Sequence, residues 1–505
     1  MGSSQRVWKL PLLPVPVQER SGCWTPTMMT ASELPTKSQL LPVWEQFVYN
    51  LPVFPNVGRN EELKTPLEPP AWSFENITSE QFGRIIDAGV RPTVDGKYRH
   101  WETLRQLTPP PGLSHEEWWF GIKWARSAIS RELPLSDARG RRFTYTMPDE
   151  AYELLHEIDQ RASGNIAVAE LVTTPGAQRR YLVSSLIEEA ITSSQLEGAS
   201  TTRKVAKEMI RTGRAPRSHS ERMIHNNYRA MNSVRDWASR SMTSERLLEL
   251  HRIVTDETLA DPSAAGRLQV PSDERVVVTD RATGDVFHIP PPAEQLPQRL
   301  AMILDWANGS SGNGFVHPVV RAVILHFWLA YDHPFEDGNG RTARALFYWS
   351  MLRQGYWLTE FLSISRILSR APSKYARAFL YTETDGLDAT YFVLYQLAVV
   401  RRAIDELHAY LRRKMKEVRS TEALLQTSDL NHRQIALLTY ALRHPDSDVT
   451  YKSHATSHRV ALESARLDLL ELERRGLVKR RRAGRQLAFR PSPDLPSLLA
   501  AAEST

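Results

Sequence analysis

The sequence predicts a mainly α-helical chain, and three observations carry that reading. Apolar residues recur at helical spacing from about Thr146 onward. β-Branched runs that read as a hairpin are confined to Val276–Thr279 and Val286–Ile289. The stretch from Asn431 to Pro491 reads as helices followed by a basic two-stranded ribbon.

With 505 residues, and roughly 100–200 residues per domain, about three folded units are expected. Residues 1–38 are rich in Pro, Ser and Thr, lack periodicity, and read as a disordered tail. Residues 39–145 form an N-terminal accessory domain, aromatic and broken by prolines such as Pro109-Pro110-Pro111. Trp101–Arg105 and Glu116–Ile122 read as short helices within it, with the tryptophans as core anchors. Residues 146–413 are the helical core, with predicted helices at Ala151–Ala162, Gln178–Leu196, Glu221–Ser239, Glu245–Leu259, Pro297–Asn308, Pro318–Asp332 and Gly340–Gly355. The hairpin interrupts them, turns through Asp280–Gly284, and stops at Pro290-Pro291-Pro292. A lone hairpin is marginal, so this one must lean on helices or a ligand. Residues 414–505 are the last unit: helices at Asn431–Leu442 and Leu462–Arg475, the second closed by Gly476, then a ribbon of Leu477–Val478 and Leu487–Phe489. That order describes a winged helix-turn-helix.

The formal net charge of +6 is mild for this length, but basic residues crowd the end, from Arg474 and Arg475 through Lys479–Arg482 to Arg485 and Arg490. A local basic patch says more about a partner than global charge does. The single cysteine, Cys23, precludes an intramolecular disulfide or a thiolate metal cluster and fits a reducing cytoplasm. Pro11, Pro14 and Pro16 interrupt the apolar start, which rules against a secretory signal. Arg6 stands where myristoylation wants Ser or Thr, and no uncharged apolar run reaches membrane length, so no membrane partner is expected.

Residues 333–344, His-Pro-Phe-Glu-Asp-Gly-Asn-Gly-Arg-Thr-Ala-Arg, concentrate the chemistry. Pro334 biases His333 out of helical geometry and places its imidazole on a loop at a helix end. Its ordinary pKa leaves it mostly neutral near pH 7, as a general base requires. Phe335 would turn inward and pin the loop. Gly338-Asn339-Gly340 then opens a helix, where converging backbone N–H groups and the dipole favour an anion. Arg341 and Arg344 lie three apart, on a face expected to point toward that anion, and Asp337 supplies a hard oxygen suited to Mg²⁺ shared with phosphates. Each piece alone is commonplace; together they form a phosphoryl-transfer site.

This run matches every specified position of the Fic family signature, His-Pro-Phe-x-Asp/Glu-Gly-Asn-Gly-Arg-x-x-Arg, and the resemblance spans about Thr146 to Arg413. The resemblance implies a Fic helical core with the hairpin as its flap, lining up a target segment by strand addition. It implies that His333 deprotonates a Ser, Thr or Tyr hydroxyl of a target protein. That oxygen would attack the α-phosphorus of ATP, and pyrophosphate would leave. Asp337 would hold Mg²⁺, Asn339 and the amides of Gly338 and Gly340 would bind phosphate oxygens, and Arg341 and Arg344 would grip the triphosphate. Relatives that phosphorylate carry Lys where Gly340 stands, and phosphocholine-transferring ones keep less of the second half. Gly340 and Arg344 therefore favour AMP, with UMP or GMP open. Tyr375 resembles the family tyrosine near the base.

Ser193-Ser194-Gln195-Leu196-Glu197-Gly198 resembles the Fic inhibitory motif, Ser/Thr-x-x-x-Glu-Gly/Asn, in the subgroup whose inhibitory helix precedes the signature. It implies that Glu197 pairs with Arg344 and blocks a γ-phosphate contact, with automodification held down and AMP removal as a second activity. Residues 431–491 resemble the winged helix appended to many bacterial Fic proteins, which implies DNA, a protein target or a second copy of the chain as partner. The rival reading is a transcription regulator whose core only senses nucleotide; an intact His333 argues against it.

Overall fold

A computed structural model describes residues 64–162, 175–279, 284–310, 314–443, 448–483 and 486–499 except 493, 496 and 497. The chain divides into two units, Met1–Asn50 and Leu51–Thr505. The tail expected over 1–38, residues 39–63, most of the 280–284 turn and the Gly484–Arg485 tip lie outside the described residues.

The fold is mainly helical, as predicted. The first helices are α1 (Ser79–Asp87), α2 (Trp101–Leu104) and α3 (His115–Ser127). Thr78 with Gln81, and Ser114 with Glu117, close reciprocal capping boxes at the starts of α1 and α3. Trp118, Trp119 and Phe120 pack with Ile85 and Leu104 in a local core, so these two tryptophans are anchors, whereas Trp72 and Trp124 are exposed. A hairpin follows that the sequence did not announce, β1 (Arg131–Ser136) with antiparallel β2 (Arg142–Tyr145). Pro134 and the flanking charges hid it, yet Leu133, Leu135, Phe143 and Tyr145 join the main core.

That core is built from α4 (Asp149–Ala162), α5 (Pro175–Leu196), α7 (His219–Asp236), α8 (Ser244–Thr255), α9 (Leu296–Asn308), α10 (Pro318–Asp332), α11 (Asn339–Arg353), α12 (Ile364–Leu368), α13 (Pro372–Thr384) and the first half of α14 (Thr390–Thr427), while α6 (Arg203–Thr212) buries Ala206 and Met209 in a smaller cluster with α5 and α7. Nearly every side chain of α10 from Val319 to Leu329 is buried, as in a helix enclosed on all sides. It packs along α11, and the two meet at the loop that carries residues 333–338. The flap hairpin, β3 (Val278–Thr279) and β4 (Val286–His288), leans on this pair and on α13, where Phe287 packs against Ala376 and Leu380.

α14 runs for 38 residues, through residue 413. Phe392, Val400 and Leu411 belong to the main core, whereas Leu425 belongs to a separate C-terminal core with Leu438, Leu469, Leu472 and Phe489. That core holds α15 (His432–Arg443), α16 (Tyr451–His458), α17 (Leu462–Arg474) and the ribbon β5 (Val478–Ala483) with β6 (Gln486–Pro491). The ribbon extends beyond the predicted segments, and Val449 adds a bridge to Phe489. Buried Asp468 of α17 joins Asn431 and Arg433 at the start of α15 to His454 of α16.

Candidate active site

α10 stops where the proline requires. His333 is its C-cap, with φ 46° and ψ 53°, and its N–H donates to Leu329 O at 3.1 Å. The ring Nδ1 lies 3.2 Å from Ala330 O. A carbonyl only accepts, so Nδ1 carries the proton and Nε2 the lone pair. Nε2 is buried and has no hydrogen-bond partner among the described residues. Burial, reinforced by the charge of His288, pushes the His333 pKa down to about 3, so the ring is a neutral base near pH 7. Phe335 turns inward as expected and is fully buried, stacked on the ring of His251 at 3.8 Å.

Gly338 opens α11 with φ 79°, and a Cβ there would sit 2.7 Å from Thr255 Cγ2, so the position accepts glycine alone without strain. The first bond of α11 is Thr342 N–H to Gly338 O, which leaves the N–H groups of 339–341 outside the helical ladder. The side chain of Asn339 ties the loop shut, accepting from Phe335 N at 3.0 Å and donating to Phe335 O at 2.8 Å. Its offer to an anion is therefore its backbone rather than its amide group.

Asp337 accepts from Gly338 N at 2.6 Å and from Arg341 Nη2 at 3.0 Å. Burial would raise its pKa, but Arg341 and the Gly338 N–H hold it below the ordinary carboxylate range. The two arginines do not share an anion-facing side. Arg341 is fully buried, and its other arm donates to Val254 O at 3.1 Å. It turns inward because Asp337, four residues back, and the Val254 carbonyl near the end of α8 each hold one arm of its guanidinium. Only Arg344 lines the cavity, with His333, Asp337, Asn339, Gly340, Glu197 and Tyr375.

Arg344 is held from the other side. Its Nε donates to Ser193 Oγ at 2.9 Å, and Nη2 donates to Ser193 O at 3.0 Å and to Glu197 Oε1 at 2.7 Å. Gly198, at φ 97°, turns the chain away directly after Glu197. A Cβ at residue 340 would fall 2.2 Å from Glu197 Oε1, so the missing side chain is what lets the carboxylate sit over the first turn of α11. Tyr375, buried and bonded to His326 Nε2 at 2.9 Å, completes the wall; burial pushes its pKa up to about 12.

Two contributors carried no sequence signal. His251 on α8 accepts from Gly266 N at 2.9 Å through Nδ1, so its Nε2–H donates to Asp337 O at 2.9 Å. Glu189, two turns before Glu197 on α5, is buried and accepts from Ser363 Oγ at 2.9 Å, Ser365 N at 3.1 Å and Ser365 Oγ. Both act across long sequence separations, where periodicity is silent.

Residues 241–351, which hold most of this site, match the Fic/DOC family. It is similar to the protein adenylyltransferase Fic of Nematostella vectensis, 28% identical over 213 residues, 40% of this chain and 45% of that one. Protein adenylyltransferase fic-1 of Caenorhabditis briggsae is 31% identical over 229 residues, 45% of this chain and 41% of its own. The chain thus spans under half the length of these relatives. A crystal structure of a Fic family protein from Desulfovibrio desulfuricans aligns over 69% of this chain and 98% of its own, with 19% identity and a TM-score of 0.44.

Proposed function

We propose that the chain is a protein adenylyltransferase, moving AMP from ATP onto a Ser, Thr or Tyr hydroxyl of a target protein or of the chain itself. The observation that carries this reading is the free, neutral Nε2 of His333 in the same cavity as Asp337, Arg344 and the turn whose 339–341 N–H groups stand outside the helical ladder, the Gly338 N–H being already taken by Asp337. The relatives' name favours AMP; UMP and GMP are the alternatives. His333 Nε2 takes the hydroxyl proton as the oxygen bonds to the α-phosphorus, and the bond to the departing pyrophosphate breaks. The free N–H groups of 339–341 meet phosphate oxygens. Asp337, ionised and oriented by Arg341 and by the Gly338 N–H, suits a single-carboxylate Mg²⁺ site in which the ion is shared with phosphates and offsets their charge. Arg344 reaches the γ end only when Glu197 leaves it, so Glu197 is a brake, with Ser193 and Gly198 shaping its seat. Removal of AMP from modified targets is a second activity of the same carboxylate.

The nucleotide-sensing DNA regulator is the weaker reading. Arg466, Arg480 and Arg490 in the C-terminal unit already face Glu463, Glu473 and Asp448, which favours a protein partner or a second copy of the chain over DNA there. A cytoplasmic setting is part of the same reading and rests on the single cysteine, Cys23, which fits a reducing compartment; among the described residues no helix is long and apolar enough to cross a membrane.

The test is label transfer from [α-³²P]ATP with Glu197→Gly and with Glu197→Gly/His333→Ala. Label on the first and none on the second, with ATP bound by both, is expected. Equal labelling of the two would end the reading.

A further inference from the structure

A helix C-terminus leaves its last carbonyls without helical partners. At the end of α10, four consecutive carbonyls are instead taken by donors from the flap and the segment before it. His288, in β4, places Nε2 2.7 Å from Tyr331 O. Arg275, three residues before β3, donates Nη2 to Asp332 O at 2.9 Å and Nη1 to His333 O at 3.0 Å. The backbone N–H of Gln269 donates to Pro334 O at 2.9 Å.

The same groups tie the flap to itself and to α13. Arg275 Nε donates to Pro291 O at 3.0 Å, on the far side of β4, and its Nη1 also meets Gln269 Oε1. His288 Nδ1 lies 2.8 Å from Glu383 Oε2. Both ring nitrogens of His288 face acceptors, so both carry protons and the ring is a cation. Burial opposes that charge, but the Glu383 carboxylate and the Tyr331 carbonyl hold the pKa above its ordinary value. Two cations thus sit at the negative end of the α10 dipole, each also holding a second element.

We propose that Arg275 and His288 are positioning residues: they lock the flap hairpin and the His333 loop into one unit, so that a peptide hydroxyl laid along the flap meets Nε2 at a fixed distance. Neither residue bonds to the ring of His333; both act through the backbone that carries it. The inference rests on the transferase reading.

Two measurements test it. The first compares Glu197→Gly with Glu197→Gly/Arg275→Ala and Glu197→Gly/His288→Gln. Self-labelling at saturating ATP should fall by about ten- to a hundred-fold, because small misplacement of a base is costly. The half-saturating ATP concentration should stay within about two-fold, since the anion-binding turn is untouched. Arg275→Lys, which can still reach one carbonyl, should recover part of the rate. An unchanged rate, or a loss expressed wholly in ATP affinity, overturns the proposal. The second is hydrogen exchange across residues 329–336 in Arg275→Ala with Glu197 intact. Faster exchange there, with α15 unchanged, supports the lock; unchanged exchange overturns it. If Glu197→Gly takes up no label at all, the transferase reading fails, while the exchange result still decides whether Arg275 holds the loop.

Discussion

Glu197 Oε1 lies 2.7 Å from Arg344 Nη2, across the first turn of α11 at the one place where residue 340 has no side chain. The carboxylate therefore occupies both the guanidinium and the space above the free N–H groups that an anion needs. On the proposed reading, the brake is competition for a single volume rather than closure of a lid.

Glu197→Gly should raise self-labelling several-fold, because Arg344 is released and the turn is vacated. The measurement is incorporation from labelled ATP by wild type and variant at equal concentration. Equal rates would remove the brake from the account.

Glu189 should matter to the brake without touching the cavity. Glu189→Ala strands the Ser365 N–H and two hydroxyls, a loss of about 1–3 kcal/mol at a buried site. α5 is then less firmly seated, and labelling should rise toward the Glu197→Gly rate. The double variant should be no faster than Glu197→Gly alone, since both changes act on one docking event. A rise that adds fully to that of Glu197→Gly would show that Glu189 acts elsewhere.

Gly338→Ala combines a positive φ with a Cβ 2.7 Å from Thr255 Cγ2. It should cost about 1–3 kcal/mol in stability and displace the anion-binding turn. Thermal unfolding together with ATP binding checks this; an unchanged melting temperature with unchanged ATP binding would contradict the geometry.

Acid should weaken the fold before ordinary carboxylates titrate. Burial lowers the pKa of His100, His326 and His333 to about 3 and that of His251 to about 4, against an ordinary 6.5. Below the ordinary value the unfolded chain binds protons that these folded rings refuse, so their contribution to stability falls as pH falls through that window. The melting temperature should drop between about pH 7 and about pH 5. His326→Phe, which removes one such ring, should drop less steeply, and an identical slope would exclude the ring as a cause.

The sequence exposed what is local and hid what is assembled. α10 was legible to its last residue, because Pro318 and Pro334 bracket an apolar run and leave little choice. The 333–344 turn was legible because its glycines, base and carboxylate are contiguous. Arg341 was misjudged because spacing fixes the side of a helix but not what waits there; Val254 O and Asp337 were waiting. His251, Glu189 and Arg275 were invisible for a related reason: each acts on a segment far along the chain, and only packing brings the partners together. The β1–β2 hairpin was lost to Pro134 and its charged neighbours, though its four apolar side chains are wholly or almost wholly buried.

One consequence lies in α14. About 21 Å of uninterrupted helix, at 1.5 Å per residue, separates Leu411 in the main core from Leu425 in the C-terminal one. A flexible tether would let the last unit wander; a rod does not. Its bearing is set by bending stiffness, and severing the chain anywhere along that stretch would leave each hydrophobic cluster with a frayed end.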